Sequence, residues 1–378
     1  MKIVYLMPEL VGAGGADRVI IEKANYFAKQ FGYEVYLITT YQKNRPFFYR
    51  PDDEVKYIDL NIDFPSQYNH SILKRGIIYF QLIREYKTKL SKILNDIKPD
   101  FTITTINRDI DVLHSINDGS KKIAEAHVSK DFARNLHQFS NRGMLYKLIG
   151  YFLKKRVWKS IRKFDGLVVL THEDAQRWQK IKQATVIPNA LPFYPEQSSN
   201  CKEKKIISVG RIAEQKGYDL LLEAWEIVIE KHPDWSIYIY GDGELQEELS
   251  NAIDHKKLDE SFKIVAPTKN IISKYLESSF YVMSSRFEGF GMVLIEAMSC
   301  GLPCVSFNCP SGPSEIISDK EDGLLIENGN IEKLANGICF LIENEQTRID
   351  WGQNARKNVK RFLPENVMLE WKRYFESK

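Results

Sequence analysis

Two glutamates eight positions apart, Glu288 and Glu296, lie in the run Ser284-Ser285-Arg286-Phe287-Glu288-Gly289-Phe290-Gly291-Met292-Val293-Leu294-Ile295-Glu296-Ala297. The run reads as a strand end, a glycine loop and a helix that stops at Gly301, with Pro303 and another strand beyond. Glu288 falls in the loop and Glu296 about a turn and a half into the helix. Both can therefore face the crevice outside the strands' carboxyl ends, where open α/β sheets bind ligands. A carboxylate accepts hydrogen bonds from vicinal hydroxyls, which a ribose and a hexose each present. Gly289 and Gly291 bare the backbone N–H groups of Phe290 to Leu294 at a helix start, which suits a diphosphate. Glu296 shares its helix with Met292, Val293, Ile295 and Met298 and would be costly to bury without a partner.

A second glycine turn, Val209-Gly210-Arg211-Ile212-Ala213-Glu214-Gln215-Lys216-Gly217, follows a strand and precedes a helix. Arg211 can bond two oxygens and Lys216 supplies a point charge, so the pair can converge on one diphosphate. A third turn, Gly12-Ala13-Gly14-Gly15-Ala16-Asp17-Arg18, follows the first strand. It lacks the last glycine of a dinucleotide fingerprint, since Asp17 stands there. The second strand closes with Thr39, Thr40 and Tyr41 rather than an acid, so an NAD site is disfavoured. Asp109-Ile110-Asp111 imitates a metal-binding D-x-D but has no supporting context, and is expected to be a capping or solvated pair.

These loops need a scaffold that presents strand ends. Short β-branched runs alternate with stretches of helical period throughout the chain, the pattern of parallel sheets covered by helices. Strands are predicted at Lys2–Leu6, Glu34–Thr40, Val55–Leu60, Phe101–Thr105, Lys122–Ala126, Gly166–Leu170 and Ala184–Ile187. After the linker NALPFYPEQSSNCKEKK the pattern restarts at Ile206–Val209, Ile237–Tyr240, Phe262–Val265, Phe280–Met283, Cys304–Phe307 and Leu324–Ile326. The clearest helices are Asp17–Gln30, Leu73–Asn95, Met144–Phe164 and Glu173–Lys180. The expected division is 1–190 and 200–362, with a separate C-terminal helix in 365–378. At 378 residues, 43% hydrophobic and 27% charged, the chain can bury two cores and is no small binding module. Cys201, Cys300, Cys304, Cys309 and Cys339 form no C-x-x-C pair and read as buried thiols in a reducing compartment. No apolar run approaches the length of a membrane span, and Pro8 and Glu9 interrupt the N-terminal run, so a cytoplasmic location is expected.

The motifs together resemble glycosyltransferase family 4, whose members have the GT-B fold of two Rossmann-like domains facing each other across a cleft, with a C-terminal helix crossing back to the first. The resemblance rests on the Glu-x7-Glu pair in RFEGFGMVLIEAMSCGLPCV, on VGRIAEQKG, on VGAGGADR, on Tyr240-Gly241-Asp242-Gly243 and on Asp322-Gly323-Leu324-Leu325, and it spans nearly the whole chain. It implies an acceptor-binding first domain and a second domain that binds a nucleotide-sugar donor. By the same resemblance Glu296 would hold ribose hydroxyls, and Glu288 would contact hydroxyls of the donor sugar. Arg211 and Lys216 would neutralise the leaving diphosphate, helped by Gly210 and by the loop at Phe290, Gly291, Met292 and Val293. Gly14 and Gly15 would border the donor phosphate, and His127, in Ala124-Glu125-Ala126-His127, matches the family's first-domain histidine near the sugar. Retention of anomeric configuration is implied, with catalysis resting on electrostatic stabilisation of the diphosphate rather than on a metal or other cofactor.

Charge is distributed unevenly. Residues 1–190 hold 31 Lys and Arg against 20 Asp and Glu, whereas the rest of the chain is acidic. Met144–Phe164 interleaves Lys147, Lys154, Lys155, Arg156, Lys159, Arg162 and Lys163 with Leu148, Ile149, Phe152, Leu153, Val157 and Trp158, and Leu73–Leu94 is similar. Such helices suit an anionic membrane surface, although core packing with solvated lysines explains them equally well. A nucleic-acid surface is not expected, because no recognised motif accompanies the charge. The expectation is a hexosyltransferase, peripheral on the inner face of the cell membrane. It would carry a hexose or N-acetylhexosamine from a UDP-sugar to a lipid-linked or growing oligosaccharide in capsule, lipopolysaccharide or exopolysaccharide assembly. A nucleotide-sugar epimerase of the same fold, a phosphorylase and a non-catalytic nucleotide-sugar binder are the alternatives.

Overall fold

In the computed structural model, which describes residues 1–12, 14–134 and 143–378, the run KIVYLM forms β1 (Lys2–Met7), buried from Ile3 onward. Burial on both faces is what a continuous apolar strand in a parallel sheet requires. It begins the first of two compact units, Met1–Ile187 with Met368–Lys378; the second is Pro188–Val367.

In the first unit β1 is followed by α1 (Gly15–Phe31), β2 (Glu34–Thr39), β3 (Lys56–Asp59), α2 (Ile72–Ile97), β4 (Phe101–Thr104), α3 (Ile110–Leu113), β5 (Lys121–Ala126), α4 (Gly143–Ile161), β6 (Gly166–Val169), α5 (His172–Trp178) and β7 (Thr185–Val186). The strands form one parallel sheet in the order β3-β2-β1-β4-β5-β6-β7. Val4, Leu6, Ile38, Ala124 and Leu167 of the sheet pack with Leu90 and Leu94 of α2 and Val157 of α4.

The second unit repeats the pattern: β8 (Lys205–Val209), α6 (Tyr218–Lys231), β9 (Ser236–Tyr240), α7 (Gln246–His255), β10 (Phe262–Val265), α8 (Ile271–Leu276), β11 (Phe280–Met283), α9 (Met292–Ser299), β12 (Cys304–Phe307), α10 (Pro313–Ile316), β13 (Gly323–Ile326), α11 (Ile331–Glu343) and α12 (Glu345–Asn358). Its parallel sheet runs β10-β9-β8-β11-β12-β13. In both sheets the chain builds outward from the first strand, then returns to build on its other side. That reversal places a topological switch point between β1 and β4 in one unit and between β8 and β11 in the other, where ligands of doubly wound sheets bind.

The final helix, α13 (Pro364–Glu376), delivers its last turns to the first unit. Trp371 and Phe375 set their rings edge-on to Phe27 of α1, and Phe375 also meets Phe101 of β4 at 4.7 Å. A Cβ on Gly166 in β6 would stand 1.9 Å from the Tyr374 hydroxyl, so that strand has a glycine where the helix docks.

The element types follow the sequence pattern, and most strand ends shift by a residue or two. Helix α4 stops at Ile161 rather than Phe164 because Lys163 and Phe164 donate to carbonyls three residues back, tightening the last turn. The short α3 is too brief for a hydrophobic period to reveal. Asp109 and Asp111 were expected to cap or to be solvated: Asp109 does stand at the N-cap of α3, but its side chain is buried and accepts from the Thr104 hydroxyl instead of capping, and the Asp111 side chain, 4% exposed, lies 3.4 Å from Arg134 and 3.5 Å from Arg156. All five cysteines are buried.

Candidate functional site

The strongest cluster of chemistry-bearing side chains stands at the β8/β11 switch point. After β8 the backbone of Gly210 to Ile212 locks onto the loop after β9: Gly210 N–H donates to Tyr240 C=O at 3.1 Å and Ile212 N–H to Asp242 C=O at 2.7 Å. The chains approach so closely that a Cβ on Gly241 would meet the Gly210 carbonyl at 1.9 Å. The Tyr240-Gly241-Asp242-Gly243 motif thus shapes the loop that carries Arg211.

The loop continues through a single 3-10 turn, Glu214–Lys216, closed by Gly217 at φ +62°. A Cβ there would stand 2.2 Å from the Ser284 carbonyl, so the turn is pressed onto the end of β11. Arg286 N–H donates to Gln215 C=O at 2.8 Å, and Gln215 Nε2 to Phe287 C=O at 3.0 Å, which fastens the two loops together. In consequence Lys216 Nζ reaches Glu288 Oε1 at 2.7 Å, and the buried Ser285 hydroxyl donates to the same oxygen at 2.7 Å. The Lys216 and Glu288 side chains are only 17% and 8% exposed. Arg211, by contrast, is exposed and makes no hydrogen bond or ion pair with a described residue.

Helix α9 starts directly after Gly291, whose φ of +101° admits little but glycine. The first N–H groups of a helix lack intrahelical partners, so those of Met292 and Val293 are positioned to serve an anion. The Phe290 ring is buried against Phe362 at 5.5 Å, which leaves its backbone as the part able to meet a ligand. Glu296 is 9% exposed and accepts from the Tyr275 hydroxyl at 3.2 Å through Oε2. The Tyr275 phenol, fully buried, is pushed well above the usual tyrosine range by that burial and by the Glu296 charge.

In the first unit Gly14 is the residue just before α1 and Gly15 its first residue. No described atom lies within 4 Å of where a Cβ on Gly14 would be, so packing does not dictate that glycine. Ala13 of this turn lies outside the described residues. Asp17 Oδ2 comes within 3.2 Å of a Cβ built on Gly12, and burial pushes the Asp17 carboxyl up to about 6. His127 follows β5, its side chain 7% exposed, with Nε2 3.1 Å from Glu125 Oε1.

Sequence reasoning singled out Lys216, Glu288, Glu296, Arg211, Gly210, Gly291 and His127 but not Ser285, Tyr275, Asp17, Lys23 or Glu125. Ser285 and Tyr275 show no pattern in sequence. Glu125, an acid within the apolar end Ile123-Ala124-Glu125-Ala126 of an interior strand, was the one legible signal.

With this geometry described, the chain can be compared with known proteins. The family model of "Glycosyl transferases group 1" matches residues 193–358. An uncharacterized glycosyltransferase of Haemophilus influenzae is 31% identical over 378 residues, covering 98% of this chain and 99% of its own. The "GalNAc-alpha-(1->4)-GalNAc-alpha-(1->3)-diNAcBac-PP-undecaprenol alpha-1,4-N-acetyl-D-galactosaminyltransferase" of Campylobacter jejuni is 25% identical over 382 residues, 98% of this chain and 97% of its own. A crystal structure of an S. aureus TarM mutant in complex with fondaparinux, alpha-GlcNAc-glycerol and UDP superposes with a TM-score of 0.80 at 18% identity, covering 99% of each chain. The two doubly wound units are those of the GT-B fold. The chain belongs to the group 1 glycosyltransferases.

Proposed function

We propose that this enzyme is a retaining family 4 hexosyltransferase. It carries a hexose or N-acetylhexosamine from a UDP-sugar to a lipid-linked or growing oligosaccharide in cell-surface polysaccharide assembly. The observation that carries the proposal is the joined Lys216–Glu288–Ser285 cluster at the switch point, beside the N-terminus of α9 and the buried acid Glu296. In this reading Glu296 accepts from the ribose hydroxyls and Glu288 from a hydroxyl of the transferred sugar. The leaving diphosphate is met by exposed Arg211, by Lys216, and by the N–H groups at Gly291, Met292 and Val293. Charge developing on the leaving diphosphate is then stabilised by fixed donors, and no metal enters the scheme. In the first unit Gly14 and Gly15 serve the donor phosphate, and His127 serves the transfer as a hydrogen-bonding residue.

A UDP donor accords with the nucleotide held by the TarM structure. A polyprenol-linked acceptor accords with the name of the Campylobacter relative. Membrane contact on the cytoplasmic face would come from α2 and α4. Ile77 and Phe80 of α2, and Leu148, Ile149, Tyr151 and Phe152 of α4, are exposed, and α4 also carries Lys147, Lys154, Lys155, Arg156 and Lys159. Among the described residues no helix is long and apolar enough to cross a membrane.

Ligand-observed NMR across UDP-, GDP- and ADP-sugars tests the donor assignment. Binding is expected for a UDP-sugar and is expected to be lost in Arg211→Ala with Lys216→Ala. A protein that binds no sugar nucleotide, or a double variant that binds like the parent, refutes the assignment. The anomeric coupling of the product tests retention.

A further inference from the structure

A buried charge cluster in the first unit has no role in the scheme above. Glu125 of β5 is wholly buried, and Lys23 of α1 is 2% exposed. Lys23 Nζ donates to Glu125 Oε1, the same oxygen that lies 3.1 Å from His127 Nε2. Successive side chains of a strand alternate in direction, so Glu125 and His127, two apart, emerge on one side. On its other flank Lys23 Nζ stands 4.2 Å from the ring centroid of Trp371 in α13 and 5.4 Å from that of Tyr5 in β1. Trp371 is 1% exposed. A further acid with an electrostatic link to His127 is Asp17 of the glycine turn.

Burying two opposite charges costs several kcal/mol per ion before their attraction is counted, and a well-packed apolar pair of similar volume is often as stable. The cluster is also incompletely satisfied. Glu125 Oε2, the Tyr5 hydroxyl and His127 Nε2 are buried without a well-aligned hydrogen-bond partner among the described residues, so the 3.1 Å approach of Nε2 to Glu125 Oε1 is an electrostatic contact. An arrangement built only for stability would satisfy both carboxylate oxygens. What the cluster does instead is present one fixed anionic oxygen to one imidazole nitrogen.

We infer that Glu125, anchored by Lys23 beneath Trp371, is a positioning residue that fixes the orientation and tautomer of His127. The carboxylate, 3.1 Å from Nε2, favours the proton on that nitrogen, which leaves Nδ1 with its lone pair as the acceptor available to a hydroxyl. Glu125 is held ionised chiefly by Lys23: burial alone would raise its carboxyl, but the adjoining ammonium draws it below the usual carboxylate range. Lys23 balances the carboxylate, so the imidazole faces an oriented acceptor rather than an uncompensated charge. The ring of Trp371 holds the ammonium on that acceptor by cation–π contact. The inference rests on His127 serving the transfer, as proposed above.

The test replaces the pair by apolar side chains of similar size, Lys23→Met with Glu125→Leu, in the full-length chain. Glu125→Gln keeps the volume and serves if the double variant does not fold. Long-range 1H–15N NMR of the imidazoles, with the His127 signals assigned by their loss in His127→Gln, reads the tautomer directly. In the parent His127 should be a single form protonated on Nε2; in the variants it should become a mixture. Turnover should fall roughly 10- to 100-fold, as for other small misplacements of a working group, with KM for the donor changed less than about 3-fold. In the His127→Gln background the same substitutions should lower turnover no further. An unchanged tautomer, or an equal loss of turnover with His127 already removed, overturns the inference. The two readings fail separately. If His127→Gln turns over like the parent while the tautomer responds to Glu125, positioning stands and the role given to His127 falls.

Discussion

Replacing Glu296 by alanine should weaken UDP binding by an amount that can be attributed to two hydroxyls. The side chain is 9% exposed, with Oε2 engaged by the Tyr275 hydroxyl at 3.2 Å. Hydrogen bonds to a charged group in such a place contribute about 1.5–3 kcal/mol, so Kd should rise roughly 10- to 150-fold. Loss of the acid also orphans the Tyr275 hydroxyl, but that cost falls on free and bound protein alike and largely cancels from Kd. Calorimetric titration with UDP and with 2′,3′-dideoxy-UDP completes a cycle. For the parent, removing the two hydroxyls from the ligand should cost about as much as removing the acid from the protein. In Glu296→Ala, the dideoxy ligand should bind about as well as UDP. If the parent makes no distinction between the two ligands, or if the variant still makes it in full, Glu296 does not hold the ribose.

Lys216→Met should destabilise the second unit by about 1–3 kcal/mol, between the values for exposed and fully buried pairs. Adding Glu288→Gln should cost less than it does alone, and simple additivity in urea denaturation would show that the 2.7 Å pair is not energetically coupled. Asp109 gives a pH signature: burial pushes its carboxyl up to about 6 from 3.8, against the opposing Thr104 hydrogen bond. A raised carboxyl holds its proton more tightly folded than unfolded. Its stabilisation is therefore complete below about pH 4 and lost as pH climbs through 6, a change of about 3 kcal/mol. Asp109→Asn should flatten that part of the stability profile, and parallel profiles for parent and variant would refute it. Co-sedimentation with anionic vesicles should fall as salt rises and should weaken in Phe80→Asp with Phe152→Asp. A protein that ignores such vesicles at low salt has no basic membrane face.

The doubly wound architecture was legible because it is written in short-range pattern. Ile206, Ile207, Phe280, Tyr281 and Val282 are apolar strand residues bounded by polar or glycine-containing segments, and their neighbours in the sheet follow from the right-handed crossovers. The two loops at the second switch point were legible for the same reason, since each follows directly on a strand. Partnerships across the sequence were not. Nothing local announces that Lys216 pairs with Glu288, 72 residues on, or that Tyr275 finds Glu296. Asp109 and Asp111 were misplaced because two acids just beyond a strand resemble solvated loop, whereas Thr104, Arg134 and Arg156 supply the partners that let their side chains be buried. Lys23 looked like any helix lysine until β5 brought Glu125 beneath it.

Trp371, Tyr374 and Phe375 belong by packing to a domain whose other residues end at Ile187. During synthesis the ribosome must therefore read through the whole of Pro188–Val367 before the rings that cover Phe27, Phe101 and Lys23 exist. Domains emerging from the ribosome generally fold as units from the N-terminus onward. Here the usual order is reversed at the last step: the later domain can close its own interior first, while the earlier one waits with Phe27 of α1 and Phe101 of β4 uncovered. A nonsense or frameshift lesion within the codons for Met368–Lys378 would accordingly injure the domain that begins at Met1.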